Sequence, residues 1–274
     1  MKSAWYWRVA LYLAATVVVA ISVFPFIYAV STSFKSGSAL FEPVLWPSSV
    51  TLANYVSLFS LAEQPFGRHI LNSIMVSVLV VAISLFIGVT ASYALGRISF
   101  KGRGLLLTAV LAVSMFPQVA VLAGMFELIR FLGMYNKALG LVLPYMIFTL
   151  PFTVWVLTTF MKQLPKELEE AAIMDGCGPW RIIKDVFMPL LWPALVSTGL
   201  LAFIAAWNEF LFGLILSKQD ALTLPIGLIG FRTERGDLWE LMASGGLMIT
   251  LPMFLLSMLV QKHFVGSLTA GSVR

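Results

Sequence analysis

Residues 70–95 read ILNSIMVSVLVVAISLFIGVTASYAL, twenty-six positions without a formal charge. An α-helix rises ~1.5 Å per residue, so ~20 apolar residues cross the ~30 Å hydrocarbon layer of a bilayer. Inside that layer the backbone must satisfy its own hydrogen bonds, which makes such a run a helix. Ser84, Gly88, Ser92 and Gly96 recur at every fourth position. Small residues at that spacing share one helix face and let a neighbouring helix approach closely.

Five further runs of comparable length lie at 9–31, 105–126, 138–160, 190–216 and 241–260. The chain has 274 residues, 59% hydrophobic and 11% charged, and its mean hydropathy is +0.93. Soluble domains carry ~25% charged residues. This much apolar surface exceeds what the core of a soluble domain this size holds, so lipid is its solvent. The expectation is an all-α membrane protein, with one transmembrane domain of six helices over 1–274 and a connecting loop at 161–189.

The first run follows Lys2 and Arg8, and Ala29-Val30-Ser31 resembles a cleavage site. Its apolar stretch is longer than the ~7–15 residues of a signal-peptide core, so it reads as a retained helix that starts in the cytoplasm. With the N-terminus inside, the inner segments carry eleven Lys and Arg and the outer segments seven. Arg97, Lys101 and Arg103 fall in one short loop without an acid. Positive-inside bias then places both termini in the cytoplasm. Of the loops between runs, 32–69 lies outside, and its Asn54-Tyr55 to Phe59 stretch reads as a short amphipathic helix on the membrane surface.

Several classes of chemistry are excluded. Cys177 is the only cysteine, so no intrachain disulfide forms. His69 and His263 lie in different segments without a metal-ligand pattern. No Gly-Lys dipeptide occurs, so there is no phosphate-cradling Walker sequence. Basic residues sit between apolar runs, which argues against a nucleic-acid partner. No nucleophile–base pair lies within the spans, so no intramembrane enzyme is expected.

The loop at 161–189 is the most informative stretch outside the spans. Pro165 suits a first helical turn, and residues 166–175 are good helix formers. Gly176 is a helix stop, and Pro179 starts a second helix running to about Val186. The first helix carries Glu167, Glu169, Glu170 and Asp175 around a small centre of Ala171 and Ala172. Composition leaves two readings, a solvated connector or a surface whose carboxylates pair with arginines on a partner.

The motif Glu170-Ala171-Ala172, three residues, Gly176, nine residues, then Val186-Phe187-Met188-Pro189 resembles the signature of permease subunits in binding-protein-dependent ABC importers. Val186 and Met188 replace the family's Ile and Leu. The resemblance extends over nearly the whole chain to MalG-type carbohydrate permeases. Supporting stretches are Ser33-Phe34-Lys35, Asn72-Ser73, Tyr93-Ala94-Leu95, Met115-Phe116-Pro117, Trp207-Asn208-Glu209-Phe210, Thr223-Leu224-Pro225-Ile226-Gly227 and Gly266 to Gly271.

The resemblance implies that the loop helix is a coupling helix docking on a separate ATPase, through Glu169, Glu170, Ala171, Ala172, Met174, Asp175 and Gly176. It implies that Leu268, Thr269, Ala270 and Gly271 belong to a tail contacting the ATPases. It also implies a second, MalF-like permease, two copies of an ATP-binding subunit and an extracytoplasmic sugar-binding protein. ATP and Mg would bind the partner ATPase, and this chain would hold no cofactor. The cargo expected from the resemblance is a disaccharide such as trehalose or maltose, with glycerol phosphate or a sugar alcohol as the alternative.

Glu209 is the only acid well inside an expected span, where a charge costs about 2.5–3.5 kcal/mol. It reads either as part of the pathway or gate, with Trp207, Asn208 and Gln118, or as a polar clamp between helices. The rival class is an ion-coupled secondary transporter or channel, which favours inverted repeats and several intramembrane charges.

Overall fold

The computed structural model describes residues 4–42, 44–47, 49–60, 65–233 and 236–270, with Ala4 and residues 262–270 described by their backbone alone. The described elements are helical, apart from a two-residue antiparallel ladder of β1 (Arg232–Thr233) and β2 (Gly236–Asp237). The chain divides into two compact units, Met1–Phe66 with Gly227–Leu251 and Gly67–Ile226 with Pro252–Arg274.

Among the described residues, five helical stretches are each long and apolar enough to cross a membrane: Trp5–Ser33, Phe66–Gly96, Ala138–Gln163, Pro179–Trp207 and Trp239–Gln261. They belong to α1 (Ala4–Ser33), α3 (Phe66–Gly96), α6 (Val142–Gln163), α9 (Met188–Trp207) and α12 (Trp239–Ala270). A short α2 (Ala53–Ser60) precedes α3.

The expected span at 105–126 is redrawn as a bent pair, α4 (Arg103–Ser114) and α5 (Gln118–Phe131), which meet at 91° and together make either one broken span or a re-entrant loop. Pro117 is the cause. It has no N–H to bond back into α4, and it disfavours helical backbone in the residue before it. Pro117 itself is extended, with ψ 129°, at the start of α5.

The expected span at 190–216 is also redrawn. After α7 (Glu167–Met174), α8 (Pro179–Arg181) runs through a π-helical turn at Ile182–Phe187 directly into α9. The second loop helix is therefore the start of the following span. The wider turn fits Pro189, whose missing N–H cannot make the i→i−4 bond. At its far end α9 stops at Trp207, and α10 (Leu211–Leu216) restarts after a three-residue break. A further short helix, α11 (Leu224–Gly227), follows. Pro144, by contrast, breaks nothing, because it sits in the first turn of α6, where no intrahelical donor is needed.

The second unit is built on the small-residue stripe of α3. The Ser84 hydroxyl lies 3.3 Å from that of Thr149. A Cβ on Gly88 would come within 2.6 Å of Thr153 and 3.2 Å of Leu157, and one on Gly96 within 3.0 Å of Met161. Thr149, Thr153, Leu157 and Met161 are themselves spaced by four along α6 and buried. Two four-residue stripes therefore face each other in parallel, the close packing that small side chains allow.

Candidate functional site

The site is α7 and the turn after it, in the second unit. Glu167, Glu169 and Glu170 all fall in its first turn, where the N-terminal end of the helix dipole favours carboxylates. Its C-terminus closes in a Schellman turn. The Cys177 N–H donates to Ala172 O at 2.9 Å, and the Gly176 N–H donates to Ile173 O at 2.9 Å. Gly176 adopts φ +77°, which a side chain would oppose, and so turns the chain toward α8.

The inner face of α7 is fastened to the end of α3. The Tyr93 hydroxyl donates to Glu169 Oε1 at 2.8 Å. Glu169 Oε2 also lies 3.9 Å from Arg97 Nε, with the Arg97 side chain 3% exposed and that of Glu169 17%. Arg97 donates through Nη2 to Leu164 O at 2.8 Å. Its guanidinium lies 4.8 Å from the centre of the Phe187 ring, against which Tyr93 also packs. Ala172 is buried in the same cluster with Leu157, Met161, Ile182, Ile183 and Phe187. A charged pair, a cation–π contact and an apolar cluster thus join α3, α7 and the start of α9.

The expected docking set accordingly divides. Glu170, Ala171, Met174, Asp175 and Gly176 are exposed. Met174 is 87% exposed and its neighbour Ile173 56%. Glu169 and Ala172 depart from the expectation, since both face the chain's own core. Helical geometry is the reason. Ala172 lies three residues after Glu169, on the same face, whereas Glu170 and Met174 share the other. Tyr93 and Arg97 were not among the expected site residues. Their signal in sequence is an i, i+4 pair at the end of an apolar run, which reads equally well as a topological marker.

At the α9–α10 break, Trp207 is buried and stacks on Phe203 with ring centroids 5.3 Å apart. Asn208 ends α9 and is exposed. Its Nδ2 donates to Ile204 O at 2.9 Å and lies 3.4 Å from Met253 Sδ. Glu209 turns back onto α10, where its two carboxylate oxygens accept the N–H groups of Phe212 (3.1 Å) and Gly213 (3.2 Å). The acid therefore caps the helix that restarts after the Pro179–Trp207 span. Gln118 is exposed at the first position of α5, on the other broken helix. Leu268, Thr269 and Ala270 continue the backbone of α12, while Gly271 lies outside the described residues.

At the other end of α3, Asn72 Nδ2 donates to Asp220 O (2.9 Å) and Leu222 O (3.0 Å), and the Leu224 N–H donates to Ser73 Oγ at 2.8 Å. Asp220 also pairs with Arg68 at 3.0 Å and accepts from Asn136 Nδ2 at 3.0 Å.

Long apolar helices, a bent pair among them and a short acidic helix fastened to the end of α3 define a multi-pass helical membrane protein. Residues 84–269 match the model of the binding-protein-dependent transport system inner membrane components, and the chain belongs to that family. The family supplies the permease subunit of ABC importers, and ATP hydrolysis resides on a separate subunit. The trehalose/maltose transport system permease protein MalG of Thermococcus litoralis is 37% identical, over 97% of each chain. The trehalose transport system permease protein SugB of Mycobacterium tuberculosis is 33% identical, over all of this chain and 98% of its own. Among solved structures, a bacterial ABC transporter involved in import of the acidic polysaccharide alginate superposes with a TM-score of 0.83. It is 22% identical and covers 96% of this chain and 98% of that one.

Proposed function

We propose that the chain is one membrane half of an ATP-driven sugar importer, and that α7 is its mechanical joint to the motor. The carrying observation is the two-sidedness of α7. Glu169 and Ala172 hold it to α3, while Glu170, Ala171, Ile173, Met174 and Asp175 are presented outward. A partner cleft with an apolar floor and a basic rim fits that outer face, because exposed apolar side chains gain by burial and the carboxylates gain by pairing with arginine.

In this reading ATP and Mg bind two copies of the partner ATPase, and a second, MalF-like permease completes the pathway. An extracytoplasmic binding protein delivers the cargo. Both termini lie in the cytoplasm, on the side of the motor. Closure of the ATPase dimer moves α7, and the Tyr93–Glu169–Arg97 fastening carries that movement into α3 and α9. Each ligand shifts the inward–outward equilibrium only by its differential affinity for the two states. The relatives named for trehalose and maltose systems favour a disaccharide as cargo.

The test is Glu170→Lys in the reconstituted transporter. Sugar uptake is expected to fall at least tenfold, with ATP hydrolysis no longer stimulated by loaded binding protein and the subunit still inserted. Normal uptake would remove the docking role. Equal uptake of trehalose, maltose and an unrelated monosaccharide would remove the disaccharide assignment.

A further inference from the structure

We propose that α2 and the loop before it form a lipid anchor, seated in the headgroup layer of the leaflet opposite the N-terminus. The first argument is depth. Counting from Arg8, ~20 residues of α1 cover the ~30 Å hydrocarbon layer and reach Tyr28. Ser33 is five residues further, ~7 Å beyond that boundary and so among the headgroups.

The second argument is that α2 is pinned at this level. Asn54 is buried, and its Nδ2 donates to Ser33 O (2.7 Å) and Lys35 O (2.8 Å). The Tyr55 hydroxyl donates to Ser33 Oγ at 2.8 Å. The preceding loop is pinned as well. Lys35, 1% exposed, donates its ammonium to Val44 O (2.6 Å) and Glu42 O (3.4 Å), and the Ser31 hydroxyl donates to Leu45 O.

The third argument is the chemistry of what faces out. Ser31, Lys35 and Asn54 turn their polar groups inward onto the segment's own backbone, and beside exposed Glu42 and Ser60 several of its large apolar groups are turned outward. Leu52 (63% exposed), Val56 (67%) and Phe59 (54%) recur at i, i+4 and i+7, one face of a helix. Phe41 and Trp46 add two aromatic rings, 80% and 68% exposed. From residue 36 to residue 60 the only formally charged side chain is Glu42. A helix facing water would carry charge on that side. An interfacial segment buries such a face at the headgroup–acyl boundary, where tryptophan is favoured. The patch also continues along the chain from α1, which buries none of its apolar stretch within the chain. Lipid is therefore the assigned partner, and the segment sets the depth of α1.

The experiment uses the full transporter in nanodiscs, in a Cys177→Ser background, with Val56→Cys or Phe59→Cys carrying an environment-sensitive fluorophore. Lipids spin-labelled near the headgroup should quench both positions at least twofold more than aqueous iodide, with or without binding protein. Stronger quenching by iodide would overturn the proposal, because the face would then be in water. Quenching by neither agent would overturn it too, because a protein subunit would cover the face. So would lipid quenching abolished by adding the binding protein. Should labelling disturb the segment, the difference in brominated-lipid quenching between the unlabelled chain and Trp46→Phe reports the same contact. No difference there would also overturn the proposal.

Discussion

Replacing Glu169 with Ala removes the carboxylate that faces Arg97 and Tyr93. Arg97 is 3% exposed, so its charge has little water to turn to. Breaking a buried ion pair costs about 3–5 kcal/mol. The lower end applies, because the pair is 3.9 Å apart and Glu169 keeps 17% exposure. A loss of ~3 kcal/mol corresponds to a factor of ~100 in the opening equilibrium of α7. Tyr93→Phe removes one hydrogen bond to a carboxylate, about 1.5 kcal/mol, or a factor of ~10. The two effects should not add. Once Glu169 is Ala, Tyr93 has lost this acceptor, so the double variant should resemble Glu169→Ala to within a few tenths of a kcal/mol. The assay is amide hydrogen exchange over residues 167–177 in the full-length chain in nanodiscs, where local opening sets the rate. Exchange in Glu169→Ala at the unaltered rate, or full additivity in the double variant, would refute the idea that Glu169 fastens α7 to α3.

Two further outcomes follow from the packing and the broken helix. Gly88→Val should cost about 1–3 kcal/mol by overpacking against Thr153 and Leu157, whereas Gly124→Val, whose Cβ would meet nothing within 4 Å, should change the melting temperature of the purified complex little. Glu209→Ala should cost about 1–2 kcal/mol by leaving the Phe212 and Gly213 donors without their cap, and Glu209→Gln should recover part of that loss. Transport by Glu209→Gln measured beside its melting temperature separates a cap from a gate. A stable protein that no longer transports would argue for the gate.

Much of the membrane architecture was legible in the chain itself. Lipid demands long uncharged helices, so the run at 70–95 declared itself by length alone. The four-residue stripe announced a tight neighbour without naming it, because small residues specify only that something comes close. Only the tertiary structure identified that neighbour as the 149–161 face of α6. Pro117 broke its helix and Pro144 did not. Pro151 lies inside α6 and Pro252 inside α12 without ending either helix, so a proline permits a break in a membrane helix without requiring one, and the tertiary structure decides which.

The candidate site divides in the same way. The acidic helix, its glycine stop and the proline that restarts the chain follow from local backbone preference, and they were readable in order. Which carboxylate points outward and which holds the helix is a matter of rotation about its axis. That rotation is set by Tyr93 and Arg97, more than seventy positions earlier in the chain. Local propensity carries no information about so distant a contact. The folded core supplies it, by burying Ala172 and leaving Met174 outside.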